Sequence, residues 1–320
     1  HESGIVLHPF GPHYFRTSSD RIWRFVNRFA SFRPFAGEVK TMIDGSAEDW
    51  PVTTAYLERH CGPLWSPPFT GQPGNFEEAC LAMMPRLVYE KFVRDYTEKQ
   101  WGVPAASLEV SLAGRFEVRR TGDRRLKTST YQGLPSIGYS AFMAALLSGI
   151  DVRCGVDYLA HQSELAGRRL TVFTGPIDEF FGFELGRLDY RAQRRRHCWL
   201  PDLAYKHATV STNFPNPADG AFIREIEWKH MMLAEEAAVI PGTLVTREYP
   251  ASPENPDQFE YPFPSAANRR LYETYAERAR TSPDILICGR LGEYRYYDMD
   301  HAIARAMTLF ERRVLPKLTG

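Results

Sequence analysis

Residues 289–300, GRLGEYRYYDMD, constrain this chain more than any other stretch. They set three tyrosines, two arginines and three carboxylates between an apolar run, Ile285-Leu286-Ile287-Cys288, and a segment with Ile303, Met307 and Phe310 at helical spacing. Apolar run, glycine turn and acidic helix start read as strand, turn and helix. Such a junction turns backbone N–H groups and a helix dipole toward one point, where phosphate or carboxylate is attracted. The plainer reading is an ordinary strand-to-helix connection with a solvated turn, Asp300 capping the helix.

The 320 residues allow one large domain or two or three smaller ones. Hydrophobic residues make up 43% and charged residues 24%, the balance of an ordinary globular protein. Basic and acidic residues number 39 each, so the basic excess of a nucleic-acid binder is missing. The run Arg194-Arg195-Arg196 is expected to be a solvated turn. Five cysteines without CxxC or CxH spacing fit a reduced compartment, with Cys288 in the core. No apolar run approaches a membrane span and no apolar leader opens the chain, so the cytosol is the expected location and no membrane partner is expected. The chain opens on His1 rather than Met, which leaves room for removed upstream residues.

Along the chain, residues 5–8 read as a strand and Ser18-Ser19-Asp20 as a helix start, with Ile22, Trp23, Val26 and Phe29 on the buried side. Residues 39–43 read as a strand entering a hairpin at Asp44-Gly45. A helical region is expected over 75–98, broken by Pro85. Residues 108–120 mix strand and loop character, and 138–147 read as a buried apolar helix. Strands are expected at 170–173, 208–211 and 221–228, and a Pro-rich loop at 250–258. The mixture places the chain in the α/β (mixed α+β) class.

Five segments, GPHYF (11–15), YTEKQWG (96–102), YQGLP with GY (131–139), GPIDEFFGFELGRLDYR (175–191) and GRLGEYRYYDMD, resemble UDP-galactopyranose mutases in order and spacing. These enzymes interconvert pyranose and furanose rings of a galactose carried on UDP. The resemblance implies a Rossmann-like α/β domain over 1–25, 135–188 and 262–320, a helical subdomain over 26–95, and an antiparallel-sheet substrate domain over 96–134 and 189–261. It also implies a nucleotide-diphosphate sugar as partner and, from the family's bacterial members, a homodimer.

The resemblance assigns roles residue by residue. Arg119, seventeen residues after Gly102, matches a family arginine that holds the substrate diphosphate. Arg224, in IREIEWK, matches a second one in a segment similar to TRITEHK. Guanidinium forks suit diphosphate oxygens because they bind bidentately and stay charged; an exposed basic strand is the plainer reading for Arg119. Tyr96 and Trp101 match positions near the nucleotide, where aromatic faces stack on bases, though core packing explains them as well. Tyr131 and Tyr261 match tyrosines on the diphosphate. Tyr296 and Asp298 match the family's sugar-pocket pair, and His13 matches a histidine that lies against the flavin. Gly289, Arg290 and Gly292 match the flavin-diphosphate turn.

One family feature has no counterpart. Reduced FAD, the family's nucleophile at the anomeric carbon, is held by an N-terminal Rossmann unit with GxGxxG, and these 320 residues contain no such motif. Trp228 also stands where the family has His, and residues 120–123 depart from its aromatic-acidic run. The expected function is therefore a nucleotide-sugar pyranose–furanose mutase working without flavin. A divalent Mg²⁺ or Mn²⁺ would stabilise the diphosphate, Arg119 and Arg224 would share its charge, and His13 or Asp298 would move the proton. His13, Asp298 and Asp300 are the candidate metal ligands. The alternatives are a fragment of an FAD-dependent mutase, a non-catalytic sugar-nucleotide binder, and an amine-oxidase-like flavoenzyme. Stacking aromatics accept uracil or guanine, so UDP and GDP sugars both stay open.

Overall fold

The computed structural model describes residues 3–319; residues 1, 2 and 320, the outer ends of the expected first domain, lie outside them. The strands in chain order are β1 (Phe15–Thr17), β2 (Phe32–Pro34), β3 (Val39–Ile43), β4 (Ser46–Trp50), β5 (Tyr131–Pro135), β6 (Thr171–Phe173), β7 (Tyr190–Leu200), β8 (Ser211–Asn213), β9 (Arg224–Glu227), β10 (Thr243–Ala251), β11 (Tyr261–Pro262) and β12 (Ile285–Ile287). The chain forms two compact units: residues 1–13, 36–128 and 191–260, and residues 14–35, 129–190 and 261–320. β3 and β4 join the sheet of the first unit.

In that unit the strand order is β7-β10-β9-β8-β3-β4. The pairs are antiparallel except β3 with β8. Register sets Glu248 of β10 opposite Arg195 of β7 and Arg224 of β9, so charges of alternating sign cross three strands in one row. Alternation along β9 then sends Glu225 and Glu227 to the opposite face. Beside the sheet, Asn75 Oδ1 accepts from Glu78 N at 3.0 Å and starts the helix Phe76–Leu81. Pro85, lacking an N–H, separates it from the next helix, which runs through Arg86–Val88, Tyr89–Arg94 and Asp95–Trp101. Phe76, Val88, Tyr89, Phe92, Val93 and Trp101 from these helices are buried.

The second unit packs a three-stranded sheet, β1-β5-β2, around Phe15, Ile22, Val26 and Phe142. Ser19 caps the helix Asp20–Val26 as its sequence predicts. The parallel pair β6 and β12 lies with Leu286, Cys288 and Leu309 in a smaller core. Several local expectations are corrected. Residues 5–8 form no strand. Helix Gly138–Leu146 buries only Phe142. Leu309 rather than Phe310 enters the core, and Phe310 is 48% exposed. Arg194-Arg195-Arg196 is the middle of β7, not a turn. Among the described residues no helix is long and apolar enough to cross a membrane.

Candidate functional site

In the first unit the central group is the Glu248 carboxylate, which is fully buried. Arg224 Nε donates to its Oε2 at 2.7 Å, with Arg224 Nη2 on the same oxygen. Arg195 Nε donates to Oε1 at 3.0 Å. The remaining Arg195 nitrogens grip Glu260 at 2.9 and 2.8 Å. Burial opposes the charge on Glu248, but the charges and hydrogen bonds of Arg224 and Arg195 prevail and hold its carboxyl below the usual range. The phenol of Tyr96, raised by burial, sits in the fields of Arg224 and Glu248.

Gly11 covers this row closely. Its φ is +98°, and a Cβ there would lie 3.3 Å from Glu248 Oε1. Two residues on, His13 Nδ1 lies 2.8 Å from the Gly11 carbonyl, which places the ring proton on Nδ1 and leaves Nε2 as the basic atom. The His13 N–H donates to His8 Nδ1 at 3.0 Å. His8 packs on Trp228, ring centroids 5.6 Å apart. Burial, and then the nearby His13, lower its pKa to about 4.

Arg119 does not join Arg224. Its guanidinium is turned into its own loop, where it pairs with Glu117 and donates to the carbonyls of Asp123 and Leu126 at 3.2 Å and to that of Arg125. These donors close the 117–126 loop. Trp101 is 4% exposed and serves packing. Tyr131, in the second unit, stacks on Trp23 at 5.0 Å and donates to Asp20 Oδ1 at 2.8 Å.

Elsewhere in the second unit the Tyr261 and Tyr296 rings stack at 6.1 Å, and the Arg290 guanidinium lies 4.6 Å from the Tyr296 centroid and 5.4 Å from that of Tyr261. Gly289 has φ +82°, and Gly292 packs so tightly that a Cβ would sit 3.0 Å from Ile287 Cγ2. Arg290 Nε is buried without a hydrogen-bond partner. A tight glycine turn beside an unsatisfied guanidinium N–H is chemically compatible with a diphosphate.

Asp300 is not the N-cap residue expected from the sequence. Asp298, not Asp300, occupies the N-cap of helix Met299–Leu309. Its Oδ2 accepts from Arg16 Nη2 at 2.9 Å. Asp300 lies in the first turn and accepts from His301 N at 2.9 Å. Among the described residues, Asp298, Asp300 and His301 offer ligand atoms within 4.8 Å of one another; His13 is not part of that group.

Four residues of these clusters escape the sequence. Arg195 had a signal, since no Gly, Pro, Asn or Asp lies near it to support a turn. Glu248 had a weaker one, a lone acid in a β-prone run. Arg16 and His8 had none, because their partners are distant or depend on the chain's path.

The family model for UDP-galactopyranose mutase matches residues 91–296. A Klebsiella pneumoniae protein named "Probable UDP-galactopyranose mutase" is 27% identical over 327 residues, covering 96% of this chain and 81% of its own length. An Escherichia coli dTDP-fucopyranose mutase is also 27% identical, covering 96% and 85%. In fold, the chain is similar to the crystal structure of reduced UDP-galactopyranose mutase, with TM-score 0.67 at 15% identity over 96% of this chain and 87% of that one. The motif order, the mixed α/β architecture and a model match over well more than half of the residues agree: the chain belongs to the UDP-galactopyranose mutase family.

Proposed function

We propose that this member interconverts the pyranose and furanose forms of a hexose carried on a nucleoside diphosphate. One observation carries the reading: Arg224 is fixed on the buried Glu248, in a row with Arg195 and beside Tyr96. A guanidinium already oriented meets a diphosphate with little ordering cost and offers charge where the sugar–oxygen bond weakens. Tyr96 supplies an aromatic face for the nucleotide. Tyr261 and Tyr296 frame the sugar, and His13 Nε2 or the Asp298 carboxylate exchanges the proton between ring and C4-hydroxyl oxygens. Gly289, Arg290 and Gly292 would hold the flavin diphosphate; reduced flavin, when bound, supplies the nucleophile for the anomeric carbon.

The flavin-free, metal-assisted route rests on a different observation, the Asp298, Asp300 and His301 group. Two carboxylates and an imidazole suit a divalent cation, but Arg16 already neutralises Asp298 and competes for its oxygen. Turnover that dies in EDTA and returns with Mg²⁺ or Mn²⁺ would select this route; turnover that survives chelation and needs dithionite selects flavin.

Calorimetric titration with UDP and UDP-galactose tests the site itself. Arg224→Met should weaken both by about 10²-fold, the value of a charge-assisted bidentate pair. Equal affinity in wild type and variant would remove the basis of the reading.

A further inference from the structure

We infer that Arg16 is a positioning residue for Asp298, turning that carboxylate off its own helix and into the tyrosine cluster where the sugar ring is handled. This rests on the mutase reading above and extends it to a residue with no assigned role.

Asp298 stands at an N-cap, φ −70° and ψ 161°, yet makes no side-chain cap hydrogen bond. Thr53 is another polar N-cap that makes none, but three others of this chain do bond their helices. Ser19 accepts from Ile22 N, Asn75 from Glu78 N and Ser265 from Asn268 N. An aspartate in this position ordinarily accepts from the amides two or three residues on. Here the carboxylate is held instead by Arg16 Nη2, 2.9 Å from Oδ2. Side-chain exposures of 20% and 25% shield the pair from most of the solvent.

The arginine end is equally fixed. Arg16 sits between the buried Phe15 and Thr17 on β1, whose register to β5 pairs Phe15 with Gly133, Arg16 with Gln132 and Thr17 with Tyr131. Its guanidinium lies 5.5 Å from the Tyr14 ring centroid. Asp298 follows Tyr296 by two residues, and Tyr296 stacks on Tyr261. An oriented fork on β1 thus sets the direction of an acid whose charge reaches Tyr14, while the same arginine also faces Tyr296. Lysine would keep the charge but lose the planar fork.

The inference predicts separable effects. In Arg16→Met, Asp298 falls back to the amide of Asp300, so hydrogen exchange at that amide slows and Tm changes little. Because the acid is then misplaced, kcat for UDP-galactofuranose falls about 10²-fold while KM moves less than about threefold. Arg16→Lys recovers part of kcat. Arg21→Met, which removes an exposed arginine paired with Glu311, serves as control and turns over like wild type. Wild-type kcat in Arg16→Met, or a loss of kcat without the exchange change, overturns the inference. A wild-type chain inert toward nucleotide sugars sinks the mutase reading instead, and amide exchange in the variant then decides by itself whether Arg16 directs Asp298.

Discussion

Two arginines that motif spacing treats alike have opposite environments. Arg119 is 9% exposed, and its guanidinium closes a loop through carbonyl acceptors. Arg119→Met should therefore cost about 1–3 kcal/mol of stability in urea unfolding, the penalty for stranding such acceptors. Its affinity for UDP should stay within about threefold of wild type, well short of a tenfold change. Arg224 and Arg195 share the buried Glu248, and Glu248→Gln removes the negative charge that both guanidinium groups face, although Arg195 keeps its pair with Glu260. That substitution should destabilise by about 3–5 kcal/mol and weaken UDP binding together. Stability loss with unchanged affinity would separate Glu248 from the site.

At the level of elements, strand alternation governs the response to acid. The face of β9 opposite Arg224 carries Glu225. Lys206 Nζ and His207 Nε2 each lie 2.6 Å from its Oε2, and Arg247 Nε lies 2.7 Å from Oε1. Burial raises the Glu225 pKa, but the bonds from His207, Lys206 and Arg247 outweigh it and bring it to about 2. A depressed carboxyl pKa stabilises above the unfolded value and loses that contribution as pH falls toward the folded one. His8, lowered to about 4, acts over a higher window. Its unfolded form takes up a proton near pH 6.5 while the folded form resists, so stability falls between pH 6.5 and 4. The unfolding free energy should hold level above pH 6.5, decline by about 1–3 kcal/mol toward pH 4, and fall again below about 4.5 as Glu225 takes up a proton in the unfolded chain. His8→Gln should flatten the first decline and leave the second. The alternation of β9 was readable in its sequence. The identity of the groups facing Glu225 was not, because His207 and Lys206 come from a segment 18 and 19 residues back and Arg247 from β10, 22 residues on, by paths no local pattern encodes.

For the whole molecule, what the sequence conveyed best was local. The caps at Ser19 and Asn75, the break at Pro85 and the β12–turn–helix junction fall where short-range chemistry puts them. Non-local facts were hidden. β3 pairs with β8 across most of the first unit. The Asp298 side chain leaves its own helix for Arg16, 282 positions earlier. Motif matching named Arg224, Tyr261, Tyr296 and Arg290 without their partners, and it did not foresee that Arg119 donates into its own loop. The central claim is a ring interconversion on a nucleotide-linked hexose, and chromatographic separation of UDP-galactofuranose from UDP-galactopyranose reads it directly. Incubated with UDP-galactofuranose, FAD and dithionite, the chain should form UDP-galactopyranose, and Arg224→Met should not. Unchanged furanose with both proteins, under conditions where wild type binds UDP, would contradict the account.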